Sequence, residues 1–216
     1  MNALYRAGAA ILSRLFRVLY RYRIIRRTDI PAGGAICCAN HTSWVDPIFL
    51  ALTQNRQIFF MAKAELFRCK PLAALIRKLG AFPVLRGSGG AEAMHYAGEL
   101  LDRGELLGIF PEGTRSKTGE LQHGKTGIVR LAHERQVPIL PAAIVSDGPR
   151  VQLFRRTRIV VGAPIMPEEL HIQTGTGLEY RNATRLVMSR IAALQQEGRA
   201  MLANDKKKNR EQKTIV

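Results

Sequence analysis

GGAICCANHTSWVDPIFLALT, residues 33–53, contains an apolar run, a polar loop and a helix start in immediate succession. The apolar run around Cys37 and Cys38 predicts a short buried strand. Asp46 followed by Pro47 is typical of a helix N-cap and first turn. The loop between them therefore lies at a strand-to-helix junction, where open α/β sheets carry functional side chains.

The rest of the chain continues this alternation of strand-like and helix-like segments. The further strand-like segments are RQIFFMA, GAFPVLR, ELLGIF, QVPILPAAIV and TRIVVGAPI. The helix-like segments are PLAALIRKL, GGAEAMHYAGELLDRG, a stretch near 126–135 and a C-terminal stretch near 178–198. This order predicts a single α/β domain with a largely parallel or mixed sheet and helices on both faces.

The composition limits the possible partners and compartment. The net charge is +16, from 33 basic and 17 acidic residues, which indicates an anionic partner such as nucleic acid, lipid headgroups or an acidic substrate. The three cysteines favour a reduced cytosolic interior over a disulfide framework or a metal site. No stretch approaches the roughly 18 charge-free apolar residues of a spanning helix, and Arg6 and Arg14 interrupt the only candidate signal-peptide core. We therefore expect a protein that neither spans a membrane nor is secreted.

Residues 1–27 are expected to form a basic amphipathic helix on a membrane surface. The apolar stripe consists of Leu4, Ile11, Leu15, Val18 and Tyr22. The adjacent basic sector consists of Arg6, Arg14, Arg17 and Arg21. Helices that lie in a lipid interface have this separation, and an ordinary domain helix with a solvated arginine face is an equally open interpretation. Residues 201–216 are predicted to be a basic flexible tail, which leaves 28–200 for the folded domain.

GELQHGKT, residues 119–126, fits the phosphate-loop pattern G-x-x-x-x-G-K-[ST]. A true phosphate loop leaves a buried strand directly and opens a helix. Here the preceding apolar run ends at Phe110, well before Gly119. The sequence therefore favours a glycine-rich loop that matches by chance over a nucleotide hydrolase.

His41 and Asp46 form the sharpest candidate site. Side chains five residues apart in a continuous helix diverge by about 140°, so these two meet only if the turn folds back on itself. If they meet, Asp46 can hold the imidazole in one tautomer and leave the other ring nitrogen as a general base. Histidine suits this role because its ordinary pKa of roughly 6.5 lies near working pH. The alternatives are a capping aspartate and an exposed loop histidine.

Three further segments carry weaker indications. FPEGTRS, residues 110–116, has Glu112 and Arg115 in one tight turn, and GAFPVLR ends in Arg86. A guanidinium on a turn is a natural bidentate ligand for phosphate, although a local ion pair or a simple surface charge explains each residue equally well. VPILP, residues 137–141, is a stiff apolar strand entry.

In this order and spacing, the segments resemble the four-block signature of the glycerolipid acyltransferase family, which includes the bacterial 1-acylglycerol-3-phosphate acyltransferases. The blocks are Asn40, His41 and Asp46; Gly80, Phe82 and Arg86; the run Phe110, Pro111, Glu112, Gly113, Thr114, Arg115 and Ser116; and Val137, Pro138, Ile139 and Pro141. The similarity covers roughly residues 31–165. One departure is Leu85, where the family often has an acidic residue before the arginine.

The resemblance implies transfer of a fatty acyl group from coenzyme A or acyl carrier protein to the free hydroxyl of lysophosphatidic acid, giving phosphatidic acid. It implies that His41 is the general base and that Asp46 orients it. The substrate-binding residues that it implies are Lys63, Arg86, Glu112, Gly113, Thr114 and Arg115, with the phosphate held by the cationic members. No metal or cofactor is required besides the acyl thioester, which is a co-substrate.

Two other functions remain open at this point. The acceptor could be another lysolipid, such as a lyso-ornithine lipid or another lysophospholipid, and a phosphate-free acceptor would make Arg86 and Arg115 less important. A non-catalytic basic module for membrane or nucleic acid explains the charge but not the pairing of His41 with Asp46. The resemblance favours an anionic membrane surface, the thioester carrier and a lysophospholipid as partners rather than nucleic acid. It implies a peripheral or monotopic protein on the cytoplasmic side of a bacterial cell membrane.

Overall fold

The computed structural model describes residues 3–29, 32–84 and 90–214. The strands of the described chain are β1 Tyr22–Arg26, β2 Ala35–Ala39, β3 Ile58–Lys63, β4 Ala81–Val84, β5 Leu106–Ile109, β6 Ile139–Ser146 and β7 Thr157–Val161. The α-helices are α1 Ala3–Tyr20, α2 Asp46–Leu52, α3 Lys70–Lys78, α4 Gly90–Asp102, α5 Gly127–Arg135 and α6 Gly177–Thr214. None of the helices in these ranges has the length and apolar character needed to cross a membrane.

The strands form one mixed sheet in the order β1-β7-β6-β2-β5-β3-β4. Strands β2 to β6 are parallel to one another, β7 runs antiparallel to β6, and β1 runs parallel to β7. The predicted α/β domain with a mixed sheet flanked by helices is confirmed. We call the edge at which β2 to β6 end the carboxyl edge, and β1 and β7 begin there because they run the opposite way.

The hydrophobic core lies on both faces of the sheet. Strand β2 is buried along its whole length; Ile36 and Cys38 pack on the face covered by α4, α5 and α6. Cys37 packs on the other face with Phe16 of α1 and Phe49 of α2. Burial raises the pKa of Cys37 to about 12 and raises that of Cys38 as well. These thiols are therefore packing groups.

The N-terminal helix is shorter than the sequence predicts. The structure ends it at Tyr20 instead of residue 27, and Arg21 turns the chain with a φ of 45°. Tyr22 begins β1 and is buried, so it does not belong to the helical stripe. The sequence analysis did not find strand β1, because the strand has only five residues and its pairing with β7 depends on residues far away in the chain. Residues 1 and 2 lie outside the described residues.

The C-terminal helix is longer than the sequence predicts. It extends from Gly177 to Thr214, so residues 201–214 of the predicted flexible tail are helical, and the last two residues lie outside the described residues. The extension is held to the domain by Leu202, which is buried, and by ion pairs from Asp205 to Arg158 and from Lys206 to Asp147. Long-range contacts of this kind are not visible in a polar sequence.

The phosphate-loop pattern occupies the long connection between β5 and α5, not a direct strand-to-helix turn. Gly119 has a φ of 81°, and a Cβ there would lie 2.0 Å from the carbonyl oxygen of Pro149. A Cβ on Gly124 would lie 2.8 Å from Met188 of α6. Both glycines therefore allow close approach to neighbouring parts of the chain. This packing accounts for them without a nucleotide.

Candidate active site

The loop between β2 and α2 brings His41 and Asp46 into contact. The imidazole Nδ1 lies 2.9 Å from Asp46 Oδ2, and Asp46 is fully buried. The same oxygen accepts the backbone N–H groups of Thr42 at 2.6 Å and Ser43 at 2.7 Å. The turn thus folds back on itself, and the predicted contact is confirmed. The roles of the two residues in catalysis stay a prediction.

Asp46 does not cap its helix, contrary to the sequence interpretation. Helix α2 begins at Asp46 itself; Val45 takes the N-cap position and makes no side-chain cap hydrogen bond. Pro47 lies in the first turn as predicted. The carboxylate points back into the loop because two loop N–H groups and the imidazole converge on it. Its negative charge is therefore directed at His41.

Asn40 fixes the start of this loop to the sheet. Its side-chain amide donates to the carbonyl of Ile144 at 2.9 Å and accepts the N–H of Ile144 at 2.8 Å. Ile144 lies near the end of β6, so the asparagine replaces a backbone pair just beyond β2. A buried amide bonded twice to one peptide leaves the loop little freedom. The sequence analysis placed Asn40 in the first block of the family signature but predicted no contact for its side chain.

The FPEGTRS loop brackets the His41 peptide from both sides. Cys38 pairs with Ile109 in the sheet, so the loops after β2 and β5 leave the carboxyl edge side by side. The N–H of His41 donates to Glu112 Oε1 at 2.7 Å, and its carbonyl accepts the N–H of Ser116 at 2.7 Å. The imidazole stacks on the Phe110 ring, with centroids 4.1 Å apart. The histidine is therefore positioned from the backbone as well as from Asp46.

Glu112 is a structural carboxylate in this arrangement. It is buried, and its second oxygen accepts the N–H of Gln122 at 3.1 Å. Burial raises its pKa, while the bonds from His41 and Gln122 oppose that shift. The carboxylate does not line the cavity beside His41. Glu112 is thus separate from the predicted substrate-binding residues that line the cavity. Its carboxylate joins two loops through hydrogen bonds.

A cavity of about 860 Å³ opens beside His41. Its apolar wall comes from strands β3 to β5 and helices α2, α3 and α5, and includes Ile48, Phe60, Met61, Ile76, Ile109 and Ile128. The predicted substrate-binding residues that line it are Lys63, Gly113, Thr114 and Arg115. Lys125 also lines it and lies against Gly113. Arg86 lies outside the described residues, so its position is not assigned.

Arg115 and Trp44 form a stacked pair at the opening of this cavity. The guanidinium carbon lies 3.7 Å from the centroid of the indole ring, and the indole is 66% exposed. Both side chains line the cavity. We call His41, Asp46 and Phe110 the inner wall of the site, and Arg115 and Trp44 its mouth. Sequence reasoning missed Trp44, although an aromatic residue in the short loop between His41 and Asp46 was a visible indication.

Comparison with known proteins gives a consistent result. The model of the Acyltransferase family matches residues 21–145. The 1-acyl-sn-glycerol-3-phosphate acyltransferase of Bacillus subtilis (strain 168) is 32% identical over 166 residues, which are 75% of this chain and 82% of that protein. A lyso-ornithine lipid O-acyltransferase of Pseudomonas aeruginosa is 37% identical over 121 residues, covering 54% of this chain and 45% of that protein.

A solved structure shares the fold. The crystal structure of the 1-acyl-sn-glycerophosphate (LPA) acyltransferase PlsC from Thermotoga maritima matches with a TM-score of 0.65. The match covers 88% of this chain and 79% of that chain at 23% sequence identity. At this identity the likeness supports the arrangement of sheet and helices alone.

Proposed function

Because this chain belongs to the Acyltransferase family, we propose that it transfers a fatty acyl group from a coenzyme A or acyl-carrier-protein thioester to lysophosphatidic acid. The product is phosphatidic acid. The observation that carries the proposal is the bonded pair of His41 and Asp46 at the wall of a large apolar cavity. The Bacillus subtilis relative is named a 1-acyl-sn-glycerol-3-phosphate acyltransferase, and this name supports the choice of acceptor.

The reaction is a direct attack in a ternary complex. His41 Nε2 takes the proton of the acceptor hydroxyl while its oxygen bonds to the thioester carbonyl carbon. The carbon–sulfur bond then breaks, and the leaving thiolate takes the proton back from the imidazolium. Asp46 stabilises the imidazolium, and general-base catalysis of this kind contributes about 10²–10⁴-fold. The scheme uses neither a protein nucleophile nor a metal.

Charge on the attacked carbonyl oxygen requires hydrogen-bond donors. The Gly113 N–H donates to the carbonyl of Phe110 and is occupied. The N–H groups of Thr114 and Arg115 have no acceptor among the described residues, and both residues line the cavity. We assign these two N–H groups to the oxyanion.

The substrates divide between the two parts of the cavity. The apolar wall takes a fatty chain, because burying methylene groups there removes them from water. We assign the acceptor phosphate to the mouth, where Arg115 supplies positive charge, with Lys63 and Lys125, which also line the cavity, as further cations. Arg86, which follows β4 in the sequence and lies outside the described residues, is proposed as a further phosphate ligand. The donor carrier remains outside and releases its thiol to solvent.

We also propose that α1 lies on the cytoplasmic surface of the cell membrane. Its inner face packs through Phe16 and Tyr20 against Phe49 of α2. Its outer face exposes Ile11 (66%), Leu15 (49%) and Val18 (71%). Arg14 and Arg17 are exposed beside them. An outward apolar stripe with flanking arginines suits an anionic lipid surface, and it explains part of the net charge of +16.

A second acceptor is favoured by one specific observation. Within its aligned region the lyso-ornithine lipid O-acyltransferase of Pseudomonas aeruginosa has the higher identity, 37% against 32%. That acceptor lacks the phosphate that Arg115 is proposed to bind. The free hydroxyl of the lyso-ornithine lipid would nevertheless be deprotonated by His41, as proposed for lysophosphatidic acid.

Thiol release from acyl-coenzyme A in the presence of different acceptors tests both candidates. Lysophosphatidic acid should give the largest kcat/KM, and lyso-ornithine lipid should give less. The reverse order would make the lyso-ornithine lipid the acceptor. Absence of acceptor-dependent release with every lysolipid, from either coenzyme A or acyl carrier protein, would contradict the proposed function.

A further inference from the structure

The loop between β6 and β7, residues 147–156, exposes two large apolar side chains. Leu153 is 53% exposed and Phe154 is 68% exposed. Phe154 has a φ of 61°, a left-handed conformation that is strained for a bulky residue. A strained aromatic residue with its ring in water does not stabilise the domain by packing. The exposed ring of Phe154 is instead available for contact with a surface outside the domain.

The loop is joined to α1. The N–H of Phe154 donates to the carbonyl of Leu19, in the last turn of that helix. The exposed side chains of Leu153 and Phe154 therefore lie beside the end of the helix that exposes Val18. The two elements present apolar groups as neighbours rather than at separate places on the molecule.

The exposed charged side chains of the loop are positive. Arg150 and Arg155 are exposed within it, and the sequence has no acidic residue between 148 and 167. Asp147, at the base of the loop, is paired with Lys206 at 3.1 Å. The loop thus repeats the pattern of α1, in which exposed apolar side chains are flanked by arginines. A surface of this kind is complementary to anionic lipid.

The loop lies at the same edge of the sheet as the active site. Ser146, the last residue of β6, pairs with Thr157, the first residue of β7, so the connection between them projects from the carboxyl edge. The Asn40 side chain, one residue before His41, is bonded to Ile144 near the end of β6. The loop, the end of α1 and the His41 loop therefore share one edge.

We propose that the β6–β7 loop is a second membrane contact, in which Leu153 and Phe154 enter the interface of an anionic bilayer beside α1. Two contacts fix the orientation of the protein on the lipid, whereas one helix leaves it free to rotate about its axis. The carboxyl edge then faces the bilayer, and an acceptor reaches His41 while its chain is still in lipid. The inference rests on the proposed function in its choice of a bilayer-resident acceptor and in the placement of α1 on the membrane.

Partition onto vesicles tests the contact without requiring catalysis. The double variant Leu153→Ser/Phe154→Asn removes the apolar groups, and asparagine accepts the left-handed backbone. Its thermal midpoint should equal or exceed that of the parent. Cosedimentation with vesicles of phosphatidylglycerol and phosphatidylcholine should show partition reduced about tenfold or more, since several buried methylene-sized groups are lost.

A matched control lies at the opposite edge of the sheet. Met166 is 41% exposed and follows Ile165, which pairs with Ile139, the first residue of β6. Met166→Ser should leave partition unchanged. Equal partition of the loop variant and the parent would overturn the proposal. A second result would also overturn it: the parent self-associates with rising concentration, and the loop variant loses this self-association but keeps its vesicle binding. The loop would then contact a second copy of the chain.

Trp44 reports the orientation, since it is the single tryptophan of the chain and is exposed at the mouth. Vesicles that contain brominated lipid should quench its fluorescence in the parent and quench it less in the loop variant at equal bound protein. A bound parent without quenching would overturn the proposal. Turnover of the loop variant on a short-chain, water-soluble acceptor should match the parent. If no acceptor supports thiol release but vesicle binding still depends on the loop, the proposed function fails and the membrane contact stands.

Discussion

The site contains two stacked pairs with different surroundings. The His41 imidazole lies on Phe110 at the inner wall and is bonded to an aspartate that is fully buried. The Arg115 guanidinium lies on Trp44 at the mouth, where both side chains are exposed. The inner wall is held by hydrogen bonds to a buried carboxylate, and the described side chains at the mouth are held by one stacking contact.

This difference separates the two parts of the reaction. The backbone of His41 is bonded on both sides by the FPEGTRS loop, so the base is positioned before substrate arrives. Preorganisation of this kind acts on the chemical step. The exposed arginine can adjust to a ligand, and its charge acts mainly on affinity. Inner-wall variants should therefore change kcat, and mouth variants should change the KM of the acceptor.

Asp46→Asn should have the largest effect among the variants that keep the histidine. The amide oxygen can still accept the N–H groups of Thr42 and Ser43, but the negative charge that stabilises the imidazolium is lost. We expect kcat to fall by about 10²–10⁴-fold with little change in the KM of either substrate. Steady-state thiol release measures this. A rise in KM without loss of kcat would assign Asp46 to binding, and circular dichroism checks that the fold is retained.

Arg115→Ala should raise the KM of lysophosphatidic acid by about 10- to 100-fold and leave the KM of the acyl donor nearly unchanged, because a charge-assisted contact with phosphate is lost. Lys117→Ala is the control. Lys117 is exposed in the same loop and does not line the cavity. If only the KM of the acyl donor changes, Arg115 binds the donor carrier, and the assignment of acceptor and donor to the two parts of the cavity is reversed.

Trp44→Ala should raise the KM of the same acceptor about three- to tenfold, since an exposed cation–π contact is worth less than a phosphate contact. Trp44→Phe should recover most of the loss because phenylalanine also offers a ring face. In a background of Arg115→Ala, the change Trp44→Ala should have little further effect. Additive effects in that cycle would show that Trp44 contacts substrate by itself.

The smallest expected effect concerns the cysteines. Cys69 is exposed, whereas Cys37 and Cys38 are buried, and burial raises the pKa of Cys37 to about 12. A thiol reagent should modify one cysteine in the folded protein and all three after unfolding. Modification of Cys69 should leave kcat unchanged. Rapid reaction of Cys37 at neutral pH would mean that β2 is open on the side of the inner wall.

The sequence predicts the architecture well because its evidence is local. Strand β2, the first turn of α2 at Pro47 and most of the alternating elements follow from apolar runs and from glycine and proline positions. The missed elements depend on distant partners. Strand β1 exists through its pairing with β7, and the end of α6 is held by contacts such as that of Asp205 with Arg158.

The site divides in the same way. The chemical identity of His41 and Asp46 and their spacing are visible in the sequence, and the structure supplies the reversed turn that joins them. The structural role of Glu112 is not visible, because a carboxylate in a polar turn gives no indication that two backbone N–H groups will bury it. The stack of Arg115 on Trp44 joins two separate loops and could be found only in the folded chain.

Acceptor-dependent thiol release by His41→Ala tests the central claim most directly. The substitution removes the ring that stacks on Phe110 but leaves the buried Glu112 and Asn40 contacts to the loop, so the thermal midpoint should stay close to that of the parent. The parent should release thiol from acyl-coenzyme A only when lysophosphatidic acid is present, and the variant should release it at a rate reduced by about 10²–10⁴-fold or more. Turnover near that of the parent in a folded His41→Ala protein would contradict the account.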